Sequence, residues 1–229
     1  MTFPNFSFEN NLWKKGYKFV AGVDEVGRGC LAGSVVAGCV VFASNTKIPK
    51  EIRVNDSKKL TAKQREKSGK WIKENALAWG IGEASNALIN HKGMARATKT
   101  AFRKAIKAVN EKLRIGKVKL DYLLIDAFFI PHVPGLPTKR RKNKKGRYLK
   151  NPNGRQTAIV HGDEISFSIA AASIIAKVYR DTFMKKLSRK YPKYGWERNK
   201  GYGTKEHQEA IKKYGITRFH RKLFVRNII

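Results

Sequence analysis

Apolar residues in this chain fall into two patterns: short dense runs that stop at charged or glycine-rich turns, and longer stretches with a repeat of three to four. Residues 18–24 and 33–43 are short and valine-rich, which predicts two strands, and the glycines between them predict a tight connection and an antiparallel pair. A looser segment runs to Asn55-Asp56-Ser57-Lys58-Lys59-Leu60, after which Thr61 predicts an N-cap for a helix over 62–77. Residues 79–84 read as a short strand. Residues 87–113 read as one helix, with Met94, Ala97, Ala101, Ala105 and Ala108 forming a small-residue face among basic positions. Short apolar runs at 121–126 and 156–160 predict two more strands. A long helix is predicted from 165 to 190, apolar all round in its first half, which implies burial against a sheet. Tyr191-Pro192 ends it, and residues 205–214 predict a last helix in a tail with no large core of its own.

Charge changes this picture of an ordinary α/β protein. The 229 residues carry 49 Lys and Arg against 17 Asp and Glu, a formal net charge of +32. Such a surface repels itself unless a polyanion neutralises it, so nucleic acid is the expected partner. A hydrophobic content of 41% excludes a disordered basic tail. Residues 138–147, Thr-Lys-Arg-Arg-Lys-Asn-Lys-Lys-Gly-Arg, form a basic loop that interrupts the fold. Cys30 and Cys39 lie in apolar, strand-like sequence and match neither a metal site nor a disulfide framework, which predicts small buried thiols. No run reaches membrane-spanning length, and the start Met-Thr-Phe-Pro-Asn lacks signal-peptide features, so a cytoplasmic protein is expected.

Against that basic background the acids stand out. Asp24, Glu25, Asp126 and Asp163 each lie where an apolar segment stops. In an open α/β sheet, chemistry gathers at such strand ends. Converging carboxylates need cations to stay ionised, and two divalent ions would serve for water activation and leaving-oxygen stabilisation at a phosphodiester. Oxygen donors without a Cys/His cluster favour Mg2+ or Mn2+ over zinc. Neighbours on a regular strand point to opposite faces, so Glu25 demands a twist, a main-chain contribution or an indirect role. Taken singly, Asp163 also reads as a helix N-cap, Asp126 as a turn former, and Asp24-Glu25 as part of a surface hairpin.

Together the segments resemble the ribonuclease HII family of the ribonuclease H-like superfamily. The resemblance is carried by Gly22-Val-Asp-Glu-Val-Gly-Arg-Gly29, Asn55-Asp-Ser-Lys-Lys-Leu60, Leu124-Ile-Asp126, Gly162-Asp163, Ser168-Ile-Ala-Ala-Ala-Ser-Ile-Ile-Ala-Lys177, Lys200-Gly-Tyr-Gly-Thr204, His207 and His220-Arg-Lys222. It implies a mixed five-stranded sheet flanked by helices over residues 1–190, with a basic insertion about 138–153, and a small helical substrate-binding part over 191–229. It also implies an endoribonuclease that cuts RNA in RNA–DNA hybrids and incises 5′ of single ribonucleotides in duplex DNA, leaving 3′-hydroxyl and 5′-phosphate ends. The family's metal-site acids map onto Asp24, Glu25, Asp126 and Asp163.

Recognition of one ribonucleotide rests on its 2′-hydroxyl. Glycines allow close backbone approach, and the resemblance assigns that role to Gly27-Arg28-Gly29, with Tyr202 stacking on the neighbouring sugar. Arg28 also reads as a plain phosphate contact, and Tyr202 as a packing residue. Lys58, Lys177 and Arg221 are candidate phosphate contacts. His161, His207 and His220 read as structural or substrate-positioning, because a two-metal site needs no histidine to activate water. Members often carry proline where Cys30 and Ser34 stand here. The insertion reads as an arm gripping duplex phosphates or as an unstructured loop. A monomer is expected, and residues 224–229 show no clear sliding-clamp or polymerase docking motif. Two other readings stay open: a related nuclease that cuts only long hybrids, and a basic RNA- or ribosome-binding protein with an inactive core.

Overall fold

The computed structural model describes residues 3–133, 136 and 155–229; the basic insertion at 138–153 lies outside the described residues. Its strands are β1 (Val20–Val26), β2 (Val35–Val41), β3 (Ala78–Ala84), β4 (Tyr122–Asp126) and β5 (Gln156–Ile159). They make one mixed sheet in the order β3-β2-β1-β4-β5. β2 pairs antiparallel with both β1 and β3, while β1–β4 and β4–β5 are parallel. The helices are α1 (Ser7–Lys14), α2 (Ala62–Asn75), α3 (Asn86–Lys92), α4 (Met94–Ile115), α5 (Gly162–Ile165), α6 (Phe167–Lys190), α7 (Trp196–Asn199), α8 (Lys205–Tyr214) and α9 (Lys222–Val225). The α/β class, the five-stranded mixed sheet and the antiparallel first pair agree with the sequence. Among the described residues, no helix is long and apolar enough to cross a membrane.

Helices cover both faces of the sheet. On one, α4 buries Ala97, Ala101 and Ala105 with Phe102, Ile106 and Val109, in one core with Val23, Ala37 and Cys39. On the other, α6 buries every residue from Phe167 to Lys177, as its all-round apolar start predicts. It lies so close to β1 that a methyl group on Gly22 would stand 2.0 Å from the Ser168 carbonyl carbon. Glu9 of α1 holds the start of α6, accepting bonds from the Ser166 hydroxyl at 2.7 Å and the Ser168 amide at 2.9 Å. A carboxylate there also suits the positive end of the helix.

Several boundaries differ from the sequence reading for local reasons. Thr61 does cap α2, in a reciprocal box with Gln64, but the helix stops at Asn75. Ala76 turns extended and the Leu77 amide bonds the Val41 carbonyl at 2.9 Å, feeding the chain into β3. The single helix expected over 87–113 is two helices broken at Gly93 (φ 78°). The break lets α3 aim Asn86 and Asn90 at the carbonyls of Arg218 and His220, contacts a continuous helix would redirect. The long helix begins at Phe167 rather than 165, with Ser166 as its cap. Cys30 and Cys39 are buried free thiols.

Candidate active site

β1 stays paired with β2 as far as Val26 but leaves β4 after the Val23–Ile125 pair. A gap therefore opens in the sheet beside Asp24 and Glu25, at the end of β4 where Asp126 stands. Around this gap lies a cavity of about 340 Å³. Asp24, Glu25, Asp126 and Asp163 all line it, with Gly27, Arg28, Gly29, Lys58, Lys177 and Tyr202. Glu25 is inside β1, so its side chain leaves the opposite face from Asp24. Both residues nonetheless line the cavity, beside the stretch where β1 has left β4.

Each acid is held differently. Asp24 hydrogen-bonds Ser173 of α6, whose hydroxyl in turn meets Ser57 at 3.0 Å. Asp126 Oδ1 accepts from the Gly162 amide at 2.8 Å, tying β4 to the start of α5. Asp163 sits in the first turn of α5, and the cap position is taken by His161 in the left-handed region, so the N-cap reading of Asp163 does not hold. Glu25 Oε1 lies 3.2 Å from Arg28 Nη1, while its Oε2 is buried with no partner.

The electrostatics are those of too many acids in too little water. Burial, then repulsion from Glu25, raises the Asp24 carboxyl well above the usual range, with Ser173 opposing. Burial also raises Glu25, against the pull of Arg28. Asp163 is pushed up to about 6, by burial first and then by Asp56 and Asp126, against Lys58. A set of buried carboxylates pushed toward protonation, one with an orphaned oxygen, fits a hard divalent cation. Among the described residues, no three acidic, histidine or cysteine side chains already form a finished ligand cluster. The acids line a cleft rather than close a cage.

Apart from Arg221, the residues expected to contact substrate line the same cavity. Gly27 has φ 93°, and a side chain there would strike Arg180, 2.2 Å from Nε. Arg28 spreads its guanidinium over the Phe128 ring at 4.6 Å. Tyr202 is about one-third exposed, with Lys177 Nζ 5.6 Å from its ring. Lys177 is itself buried and paired with Asp181 at 2.9 Å, so its charge is already partly matched.

Arg221 corrects an expectation. As a phosphate contact it would need exposure, yet it is fully buried and does not line the cavity. Its guanidinium donates to the carbonyls of Arg28 at 2.8 Å, Gly33 at 2.8 and 2.9 Å, and Ser34 at 3.2 Å. Burial lowers its pKa to about 10. A second buried guanidinium, Arg180, was not singled out by any sequence signal. It donates to Ser34, Ala32 and Lys200 at 3.1, 3.0 and 2.7 Å. Arg180 staples the stretch after β1 to the segment before Tyr202, while Arg221 ties that stretch to the C-terminal part. Ser57 and Ser173 were present in recognisable motifs, but their meeting across 116 residues was not readable there.

A carboxylate-lined cleft at the parting of parallel strands, in a mixed sheet covered by helices, defines a nuclease of the ribonuclease H-like fold. The ribonuclease HII family pattern matches residues 21–227, and the chain belongs to that family. It is 47% identical over 222 residues to ribonuclease HII of Clostridioides difficile (strain 630), covering 97% of this chain and 76% of the relative. Among solved structures it is similar to ribonuclease H2 from Pyrococcus horikoshii OT3, with a TM-score of 0.66 and 28% identity over 92% of this chain and 96% of that one. It is also similar to the ribonuclease HII solved in a PCNA complex from Archaeoglobus fulgidus, with a TM-score of 0.62 and 25% identity over 89% and 93% of the two chains. Membership makes this protein a metal-dependent endoribonuclease acting on RNA–DNA hybrids.

Proposed function

We propose that this ribonuclease incises duplex DNA on the 5′ side of a single embedded ribonucleotide, as well as cutting longer hybrids, and leaves 3′-hydroxyl and 5′-phosphate ends. Asp24, Glu25, Asp126 and Asp163 would hold two divalent ions, Mg2+ or Mn2+. Such ions supply activation of water and stabilisation of the leaving oxygen.

The chain's own residues choose and orient the strand. Gly27 and Gly29 bring main-chain groups close to the sugar, where the 2′-hydroxyl is the group that tells RNA from DNA. The Tyr202 ring packs on the adjoining sugar. Lys58 draws in a backbone phosphate, and Lys177 adds a partly matched charge beside the tyrosine. Arg28 divides its guanidinium between Glu25 and Phe128, which holds it at the cavity rim. Arg221 acts from below, fixing the carbonyl of Arg28.

One observation carries the reading: the four acids, the Gly27-Arg28-Gly29 turn and Tyr202 line a single cavity. The test is a labelled DNA duplex with one ribonucleotide, compared with all-DNA and long-hybrid duplexes, in Mg2+ and in chelator. Incision 5′ of the ribonucleotide that needs Mg2+ and vanishes in Asp24→Asn is expected. Cutting of long hybrids alone would overturn the single-ribonucleotide reading.

A further inference from the structure

We infer that His207 and His220 are positioning residues for Tyr202, joined in a neutral two-histidine chain that clamps the main chain bearing the ring. The inference rests on the proposed role of Tyr202 at the sugar. Both histidines are buried beneath Tyr194 and Trp196, and neither lines the cavity.

Hydrogen-bond direction fixes both tautomers. The Thr217 amide donates to His220 Nδ1 at 2.8 Å, so that nitrogen carries no proton. His207 Nδ1 lies 2.8 Å from the Tyr202 carbonyl, which can only accept, so Nδ1 of His207 carries the proton. His207 Nε2 then accepts with its one lone pair, shared between Trp196 Nε1 at 3.0 Å and the longer contact from His220 Nε2 at 3.2 Å. One arrangement sets a donor against an acceptor in every contact, including the Thr217 hydroxyl at 3.0 Å from His220 Nδ1: His220 protonated on Nε2, His207 on Nδ1, both neutral. Burial lowers the pKa of each ring, that of His220 to about 4. A second proton on either ring would set N–H against N–H.

The chain ends on the loop that matters. The Tyr202 carbonyl accepts from His207 and from the Thr204 amide at 2.9 Å. One residue earlier, the Gly201 carbonyl takes the amides of Leu31 and Ala32 at 2.8 and 3.3 Å, just past the Gly27-Arg28-Gly29 turn. His207 thus fixes one side of Tyr202 while Leu31 and Ala32, just past the glycine turn, fix the other.

Two substitutions separate clamping from packing. In His207→Gln an amide oxygen can replace Nε2 as acceptor for Trp196 and His220, but the Tyr202 carbonyl loses its side-chain donor and keeps only the Thr204 amide. In His207→Asn an amide N–H near the Nδ1 position keeps the Tyr202 bond and abandons Trp196 and His220. Incision of a single-ribonucleotide duplex is measured per folded molecule beside the unfolding midpoint. His207→Gln should hold its midpoint and lose ~10-fold in kcat/KM, roughly one hydrogen bond's worth. His207→Asn should be less stable yet recover most of that kcat/KM. Wild-type kcat/KM in His207→Gln, or equal losses in both variants, would overturn the clamp. Nitrogen-15 shifts of the wild-type rings test the tautomers directly, and decide alone should neither variant fold: any assignment other than Nδ1–H on His207 with Nε2–H on His220 sinks the proposal. Tyr202→Ala, run alongside, reports separately on the reading beneath it, since unchanged incision there removes Tyr202 from recognition.

Discussion

Gly22 and Ser168 meet main chain to main chain, so close that a methyl group on the glycine would lie 2.0 Å from the serine's carbonyl carbon. Asp24 is two residues further along the same face of β1. The contact therefore sets the depth at which α6 lies, and with it the reach of Ser173 to Asp24. One missing side chain in a strand governs the surroundings of a carboxylate in the cleft.

Gly22→Ala should destabilise the protein by about 3 kcal/mol or more, because the clash is with backbone that cannot rotate away. Urea unfolding measures it. Gly29→Ala is the contrast: a methyl group there meets nothing within 4 Å and the residue needs no left-handed backbone. It should unfold within about 0.5 kcal/mol of wild type. Its loss should appear instead in kcat/KM for a single-ribonucleotide duplex, because Gly29 lines the cavity proposed to take the sugar.

Removing a charge from the crowded acids should trade activity for stability. In chelator, Asp24→Asn relieves burial cost and repulsion from Glu25, so its melting temperature should exceed that of wild type. Cleavage should fall by at least about 100-fold. Added Mg2+ should then raise the melting temperature of wild type more than that of the variant, since binding to the folded form alone stabilises it. Equal shifts would argue against Asp24 as a ligand.

Salt dependence separates a buried arginine from a surface lysine. Lys58→Ala should reduce the slope of log affinity against log salt by about 0.9, one phosphate's worth for duplex DNA. Arg221→Lys should leave that slope unchanged and lower stability by about 2 kcal/mol or more. An ammonium cannot fork to the carbonyls of Arg28, Gly33 and Ser34.

Acid should loosen the C-terminal region through His220. Its folded pKa, about 4, lies below the unfolded value of about 6.5. The neutral ring's contribution is thus complete above pH 6.5 and lost as pH falls through 4, on the order of 2 kcal/mol. The difference in unfolding free energy between wild type and His220→Gln, followed from pH 7 to 4, should shrink across that window. A constant difference would show that His220 does not titrate on unfolding.

Much of this was readable along the chain. Apolar runs that stop at Asp24, Asp126 and Asp163 mark where carboxylates leave the core, since a carboxylate must reach solvent or a cation, but only Asp126 ends its strand: β1 runs on to Val26 and Asp163 lies in α5. Thr61 followed by Gln64 declares a helix start, since both partners lie within one turn. The motifs around Gly27 and Tyr202 are similarly local, and the structure brings both to the acid-lined cavity.

Other features depend on contacts between residues far apart in the chain. Arg221 looks like any surface cation until the fold surrounds it with carbonyls near residue 33, and Arg180 gives no local sign at all. Glu25 leaves the opposite face of β1 from Asp24, and that both line one cavity is visible only where β1 parts from β4. The directions of the His207–His220 chain need Thr217, Trp196 and Tyr202 in place at once. Local pattern and composition specify which segments become strands and helices, and which residue types carry chemistry, because propensity and burial act over a few neighbours. Which arginine is a staple, which acid borders the gap and which histidine nitrogen holds a proton are settled only when distant segments compete for the same hydrogen bonds.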